Sequence, residues 1–293
     1  MKNKNIFITG ASGFIGKNLT EHLSGRANLF IPTHQELELL DEQAVLDYIV
    51  NNHIDVVIHC GNIGATRRTD SLRQIVGDNL RMFLNLFKAK HLYEKMIFFG
   101  SGAEFDKRDD LSKISEDYIS QRLPVSEYGL SKYLCSHFIE HADNIVNLRM
   151  FGVYGKYDDY QNRFITNAIC RAVLGLPIII YQDAEMDFIF VDDLVKITDH
   201  FIQNKVGNKF YNIGTGKSFR LVQIAQSIKD ISGKNIEIII KKSGMAPEYT
   251  CNNQRLLKEI PGLTFTDMEQ SLRKLYDWYS LHKAEIMTDK FID

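Results

Sequence analysis

Tyr128 and Lys132 stand in the run Ser-Glu-Tyr-Gly-Leu-Ser-Lys at 126–132. On a helix of about 3.6 residues per turn both side chains fall on one face. A protonated ammonium beside a phenol favours the phenolate, so the pair can exchange a proton near neutral pH. Far upstream, Gly10, Gly13 and Gly16 space the run Gly-Ala-Ser-Gly-Phe-Ile-Gly. It follows an apolar stretch at 4–9, fit for a buried strand, and opens a segment at 16–23 with helical spacing. Such a turn leaves a bare helix start whose N–H groups can hold a pyrophosphate. Gly10, Ser12, Gly13, Phe14, Ile15 and Gly16 are therefore candidate cofactor-binding residues. Each signal alone is weak, because a Tyr-x-x-x-Lys spacing arises by chance on amphipathic helices and a glycine turn is often only a turn. Strand, glycine turn and helix in that order, with the Tyr/Lys segment beyond them, together point to a nicotinamide oxidoreductase.

The elements that must position these groups alternate. Apolar strand-like runs lie at 28–32, 55–60, 95–100 and 145–149, and helical patterns at 41–50, 72–91 and 127–141. Alternation of this kind implies an α/β fold, a Rossmann-type doubly wound parallel sheet. The second half is less regular, with strands expected near 177–181 and 236–240 and helices near 164–174, 221–231 and 268–282. We expect a dinucleotide-binding domain over 1–155 and a smaller, mixed α/β, mainly substrate-binding domain over 156–293, with a segment near 187–212 returning to the first sheet.

With 293 residues the chain can bury a full core, and a net charge of −2 gives no global bias toward nucleic acid or membrane. The four cysteines, Cys60, Cys135, Cys170 and Cys251, lack C-x-x-C spacing. With a polar N-terminus and no apolar run of about 18 residues, they suggest a reduced cytoplasm and no membrane span.

Several blocks occur in order: Gly-x-x-Gly-x-x-Gly from Gly10, Phe-Gly-Ser at 99–101, Tyr128-x-x-x-Lys132, Leu-Arg at 148–149 leading to Val-Tyr-Gly at 153–155, Asp-Phe-Ile-Phe-Val-Asp-Asp at 187–193, and Tyr-Asn-Ile-Gly-Thr-Gly at 211–216. In these the chain resembles, nearly end to end, the extended short-chain dehydrogenase/reductase family, its nucleotide-sugar epimerase, dehydratase and reductase group. Within it the chain is similar to the GDP-fucose synthases and the NDP-4-keto-6-deoxysugar reductases, notably at 32–45. The resemblance implies Ser101 as a third catalytic group whose hydroxyl bonds the substrate oxygen while Tyr128 exchanges a proton with it. It also assigns Lys132, Asn79, Cys60 and Gly61 to the cofactor, and a nucleotide-diphosphate sugar as the small-molecule partner. Homodimers joined by two helices per subunit, here those at 72–91 and 127–141, are a further family expectation.

Departures from the family narrow the chemistry. Dehydratases carry Asp and Glu directly after the Ser/Thr, where Gly102 and Ala103 stand. The GDP-fucose synthases use a Cys and a His as acid/base catalysts at the carbon beside the ketone, and the resemblance sets Ala103 and Arg163 in their places. Two activities remain open: reduction of a 4-keto-6-deoxy nucleotide sugar, which we favour, and 4-epimerisation with retained NAD. A binding regulator that has lost turnover is a third reading, against which Ser101, Tyr128 and Lys132 speak.

Ile-Pro-Thr-His at 31–34 offers no carboxylate for a ribose 2′-hydroxyl, and Glu36 reads as too far on. The cofactor expectation is NADP(H), with NAD(H) possible and Thr33 and His34 as phosphate contacts. Asn162 and Arg163 are the substrate candidates, since a guanidinium suits phosphate oxygens. Asp192 and Asp193 read as a helix N-cap and first-turn acid, and 214–216 as a turn. His137, Glu140 and His141 fit an H-x-x-E-H zinc pattern, but helical geometry turns them away from Tyr128 and Lys132, and no metal is expected.

Overall fold

In the first strand Ile6 and Ile8 belong to one hydrophobic cluster and Phe7 to another, the alternation of a strand packed on both faces. The computed structural model describes residues 3–64, 74–106, 108–118, 122–287 and 291. In chain order the first half comprises β1 (Asn5–Thr9), α1 (Phe14–Leu23), β2 (Asn28–Phe30), α2 (Glu42–Asn51), β3 (Val56–His59), α3 (Ile75–Lys88), β4 (Lys95–Ser101), β5 (Leu111–Ile114), α4 (Glu127–Ile139) and β6 (Ile145–Met150). The second comprises β7 (Gly152–Tyr154), α5 (Phe164–Leu174), β8 (Ile178–Asp183), β9 (Glu185–Met186), β10 (Phe188–Phe190), α6 (Val191–Gln203), β11 (Phe210–Ile213), β12 (Phe219–Arg220), α7 (Leu221–Ser232), β13 (Ile238–Met245), β14 (Tyr249–Cys251), α8 (Gln254–Glu259) and α9 (Met268–Leu281).

Six strands form one sheet in the order β11-β6-β4-β3-β1-β2, every neighbouring pair parallel. One face packs on α1 and α6 through Leu19, Leu23, Leu194 and Phe201; the other packs on α2, α3 and α4 through Val45, Ile49, Phe83, Leu86 and Ile139. This is the expected Rossmann-type doubly wound α/β fold. The chain leaves β1 for β2 on one side and returns to β3 on the other, so a crevice opens between β1 and β3 at the carboxyl ends of the strands.

A second core gathers α5, α7 and α9 around β8. Beside it a four-stranded sheet runs in the order β12-β9-β14-β5. Strands β5, β9, β12 and β14 have no counterpart in the sequence reading. The run Leu-Ser-Lys-Ile of β5 is polar in its middle, and it becomes a strand only because β14, from the far end of the chain, pairs with it.

Other differences are local. Residues 72 and 73, at the start of the expected helix at 72–91, lie outside the described residues, and α3 runs from Ile75. Helix α4 stops at Ile139, where His141 N–H turns back to the Phe138 carbonyl. Asp192 is not an N-cap: Phe190 holds that place. Asp193 lies in the first turn and accepts from the Thr266 N–H at 2.7 Å and its hydroxyl at 2.9 Å. The turn at 214–216 is also a cradle, because the Thr215 and Gly216 N–H groups, each at 2.8 Å, hold the buried Asp187 carboxylate.

Glu104, 2% exposed, fastens β4, α4 and β6 together. Its carboxylate accepts from the Ser101 N–H at 3.1 Å, the Ser136 hydroxyl at 2.5 Å, the Asn147 amide at 3.1 Å and the Arg149 guanidinium at 2.8 Å. Removing one side of such a buried pair strands the other charge. Glu104→Ala should therefore lower the unfolding free energy by about 3–5 kcal/mol in urea titrations. A loss below about 1 kcal/mol would show that Arg149 and Asn147 find other partners.

Candidate active site

The β1–α1 turn closes on itself, with Gly13 N–H donating to the Gly10 carbonyl at 3.0 Å. A Cβ on Gly16 would fall 2.2 Å from the Gly10 carbonyl oxygen, so only glycine lets α1 begin this close to β1. Gly13 is the N-cap of α1 and supplies no side-chain cap bond. The open N–H groups and the positive end of the helix dipole form an anion cradle edged by Ser12, Phe14 and Ile15. Across the crevice, Cys60 N–H donates to the Thr9 carbonyl at 3.2 Å and Gly61 N–H to the Thr9 hydroxyl at 3.0 Å. The predicted glycine, Cys60 and Gly61 groups thus meet at one place.

Thr33 and His34 stand just beyond β2. Glu36, read from the sequence as too distant, folds back: its carboxylate accepts from the Thr33 N–H at 2.7 Å and the Thr33 hydroxyl at 2.9 Å. His34 is exposed and pairs with Glu38 at 3.3 Å. Asn79 exchanges bonds with both backbone groups of Ile63, at 2.8 and 2.7 Å, and lies 3.5 Å from the Ser131 hydroxyl of α4.

Ser101 ends β4, and its oxygen accepts from the Ala103 N–H at 3.1 Å. Tyr128 and Lys132 project from the first two turns of α4, which Ser126 caps by accepting from the Gly129 N–H. The buried Lys132 ammonium donates to the Phe99 carbonyl at 2.8 Å, 4.5 Å from the Phe98 ring centre and 5.8 Å from that of Tyr128. One ammonium thus sits between the sheet floor and the phenol.

Asn162 and Arg163 lie before α5, with Arg163 as its N-cap. The Asn162 amide donates to Asp159 at 2.6 Å, while its oxygen is buried without a protein partner. The Arg163 charge acts on Asp158, whose carboxyl burial lifts to about 6, and on Tyr249. Sequence reasoning missed Tyr249: this buried phenol of β14 lies within reach of the Ser101 side chain and within electrostatic reach of Tyr128. No local pattern marks it, since long-range pairing delivers it. Glu104 was also missed, although Ser101-x-x-Glu104 carries a capping-box spacing.

His137, Glu140 and His141 are exposed, and His137 pairs with Glu140 at 3.5 Å. Among the described residues no group of His, Cys, Asp and Glu could hold a metal ion, and no helix is long and apolar enough to cross a membrane.

The sequence profile described as "NAD dependent epimerase/dehydratase family" matches residues 6–214. The chain is 25% identical over 291 residues to ADP-L-glycero-D-manno-heptose-6-epimerase of Brachyspira hyodysenteriae, across 87% of this chain and 90% of that one. It is 24% identical over 303 residues to GDP-L-colitose synthase of Yersinia pseudotuberculosis, across 94% and 97%. A solved GDP-mannoheptose C4 reductase from Campylobacter jejuni, with NADP bound, superposes with a TM-score of 0.83 at 22% identity, covering 95% of this chain and 99% of that one.

His59 gives the site a pH signature. It is buried, its Nδ1 lies 2.7 Å from the Thr9 hydroxyl, and burial, reinforced by the Lys132 charge, pulls it down to about 3. The unfolded chain binds that proton below about 6.5 and the native chain does not. The resulting stability is complete above about 6.5 and is lost as pH falls toward 3. Asp158 runs the opposite way, its contribution disappearing as pH rises through about 6, so the measurement must be a difference. The stability of wild type relative to His59→Asn should drop by about 2–3 kcal/mol between pH 7 and pH 4.5 in denaturant titrations. A constant difference would mean that His59 titrates alike in the folded and the unfolded chain.

Proposed function

The chain belongs to the NAD dependent epimerase/dehydratase family, and from that premise we propose an NAD(P)H-dependent reductase that transfers hydride to C4 of a 4-keto-6-deoxy nucleotide sugar with Tyr128 as the acid. The observation that carries the reading is the cluster of Ser101, Tyr128 and Lys132 at the carboxyl end of β4, beside a glycine cradle and without an acid at positions 102 and 103.

A nicotinamide dinucleotide, when bound, supplies the hydride. The cradle suits its pyrophosphate, because Gly16 leaves room for a close approach and the start of α1 has open N–H groups. Asn79 fixes the loop after β3 against α4, and Lys132 presents an ammonium to the ribose side of the site. Ser101 donates a hydrogen bond to the sugar carbonyl oxygen. As negative charge builds on that oxygen, Tyr128 passes it a proton, and the Lys132 ammonium stabilises the phenolate left behind. The ketone gains one hydride and one proton, and the alcohol leaves with oxidised dinucleotide. Arg163 and Asn162 are assigned to the diphosphate. The exposed Tyr133 and Phe138 of α4 suit the helix-mediated homodimer that the family implies.

NADP(H) is favoured, as in the C. jejuni reductase of like fold with NADP bound. One observation favours the second reading, a 4-epimerase that retains NAD: the Glu36 carboxylate at Thr33 places negative charge beyond β2, where a 2′-phosphate would be repelled and a ribose hydroxyl accepted.

Incubation with GDP-, dTDP-, CDP- and UDP-linked 4-keto sugars separates the two. Stoichiometric loss of NADPH supports the reductase, and interconversion at C4 without net consumption supports the epimerase. Tyr128→Phe should lower kcat by about 10²- to 10⁴-fold while dinucleotide still binds. Turnover at the wild-type rate would remove Tyr128 from the acid's role.

A further inference from the structure

Tyr249 comes from the half of the chain that carries Asn162 and Arg163, yet its hydroxyl lies at the end of β4. Parallel pairing sets Tyr249 of β14 opposite Leu111 of β5, the strand that follows the Ser101 turn. Its ring packs on Phe151, with centroids 4.9 Å apart. A Cβ on Gly102 would lie 2.4 Å from the Tyr249 oxygen and 2.9 Å from the Phe151 ring. The phenol therefore fills the volume that a side chain next to Ser101 would take, and its oxygen stands within reach of the Ser101 hydroxyl.

The Ser101 hydroxyl has two lone pairs and one proton. The Ala103 N–H, at 3.1 Å, takes one lone pair. Were the Ser101 proton given to Tyr249, none would remain for a substrate oxygen. With Tyr249 as the donor, both lone pairs are filled and the proton can face only the cleft. We propose that Tyr249 is a positioning residue whose phenol donates to the Ser101 oxygen, so that the Ser101 hydroxyl presents its proton to the reacting sugar oxygen alongside Tyr128. The inference rests on the carbonyl-chemistry reading of the site given above. Burial first, then the neighbouring Tyr128, hold the Tyr249 phenol well above its ordinary range against a smaller opposing effect of Ser101, so the phenol keeps its proton at neutral pH and has one to donate. Donors linked in a chain polarise one another, so Ser101 gains strength as well as direction.

Tyr249→Phe keeps the ring on Phe151 and removes only the oxygen. It should lower kcat about 3- to 10-fold with KM values for NADPH and sugar unchanged. The double variant Ser101→Ala/Tyr249→Phe should be no slower than Ser101→Ala alone, because Tyr249 acts through Ser101. An unchanged kcat, or losses that multiply, overturns the proposal. A second readout needs no turnover. In the full chain labelled with carbon-13 at tyrosine Cζ, Ser101→Ala should move the resonance that Tyr249→Phe deletes, and an unmoved resonance also overturns the proposal. A wild-type chain inert toward every sugar tested would instead remove the reductase and epimerase readings, while the resonance would still decide the Tyr249–Ser101 contact.

Discussion

A carboxylate buried to 2% exposure holds the rest in place. Glu104 follows Ser101 by one short turn and would be costly to bury alone, since effective desolvation of a charge is several kcal/mol even after relaxation. Four donors offset that cost, and they come from three elements: the end of β4, helix α4, and strand β6 twice. The Arg149 guanidinium lies between Phe105 and Phe210, 5.2 and 4.5 Å from the ring centres, and donates to the Glu116 carbonyl at 3.1 Å as well. No element in this set can shift without leaving a buried donor or acceptor unmet. A serine on a strand end and a phenol on a helix are thereby kept in fixed relation, which acid catalysis at a single oxygen requires.

That constraint also explains why the two halves of the chain are not independent around the site. β5 follows β4, an interior strand of the first sheet, and pairs with β14, and β14 pairs in turn with β9. The Asp187 N–H donates to the Tyr249 carbonyl at 3.0 Å, and the Asp187 side chain is locked into the turn at 214–216 that follows β11. A strand that belongs by sequence to the first half is thus the seat for the segment that brings Tyr249 to Ser101.

What could be read from the sequence follows from how local each signal is. The strand, glycine turn and helix at 5–23 and the Tyr128/Lys132 face need only their own periodicity and steric rules, and the six-stranded sheet arises from units of that kind. β5 and Tyr249–Cys251 are too short to show a period and become strands only through long-range pairing. Glu36 looked remote because chain distance was taken for spatial distance; a tight turn that returns Glu36 N–H to the Thr33 carbonyl at 3.0 Å removes the gap. Asp192 looked like a cap because its residue type suits one, but Val191 already occupies a helical position and Phe190 takes the cap geometry without a polar side chain. Glu104 had a readable spacing whose meaning changed: the N3 acid of a short turn faces inward and gathers partners from other elements.

The small residues after Ser101 limit the chemistry as firmly as the hydroxyls would enable it on the proposed reading. Ketone reduction moves a hydride and a proton and needs donors around one oxygen. Water elimination, or epimerisation beside the ketone, needs a base aimed at a second carbon. Gly102 and Ala103 offer nothing that titrates, and Arg163 keeps its proton in proteins, so it can bind an anion but cannot accept a proton. The space that Gly102 leaves does not open to a substrate carbon, because the Tyr249 phenol fills it. Tyr249 cannot easily be that base either: burial opposes its ionisation and Tyr128 opposes it again. On the reading proposed above, Ser101 and Tyr128 would serve one oxygen, an arrangement matched to a carbonyl that is reduced or reoxidised at one carbon and poorly matched to reactions that require two.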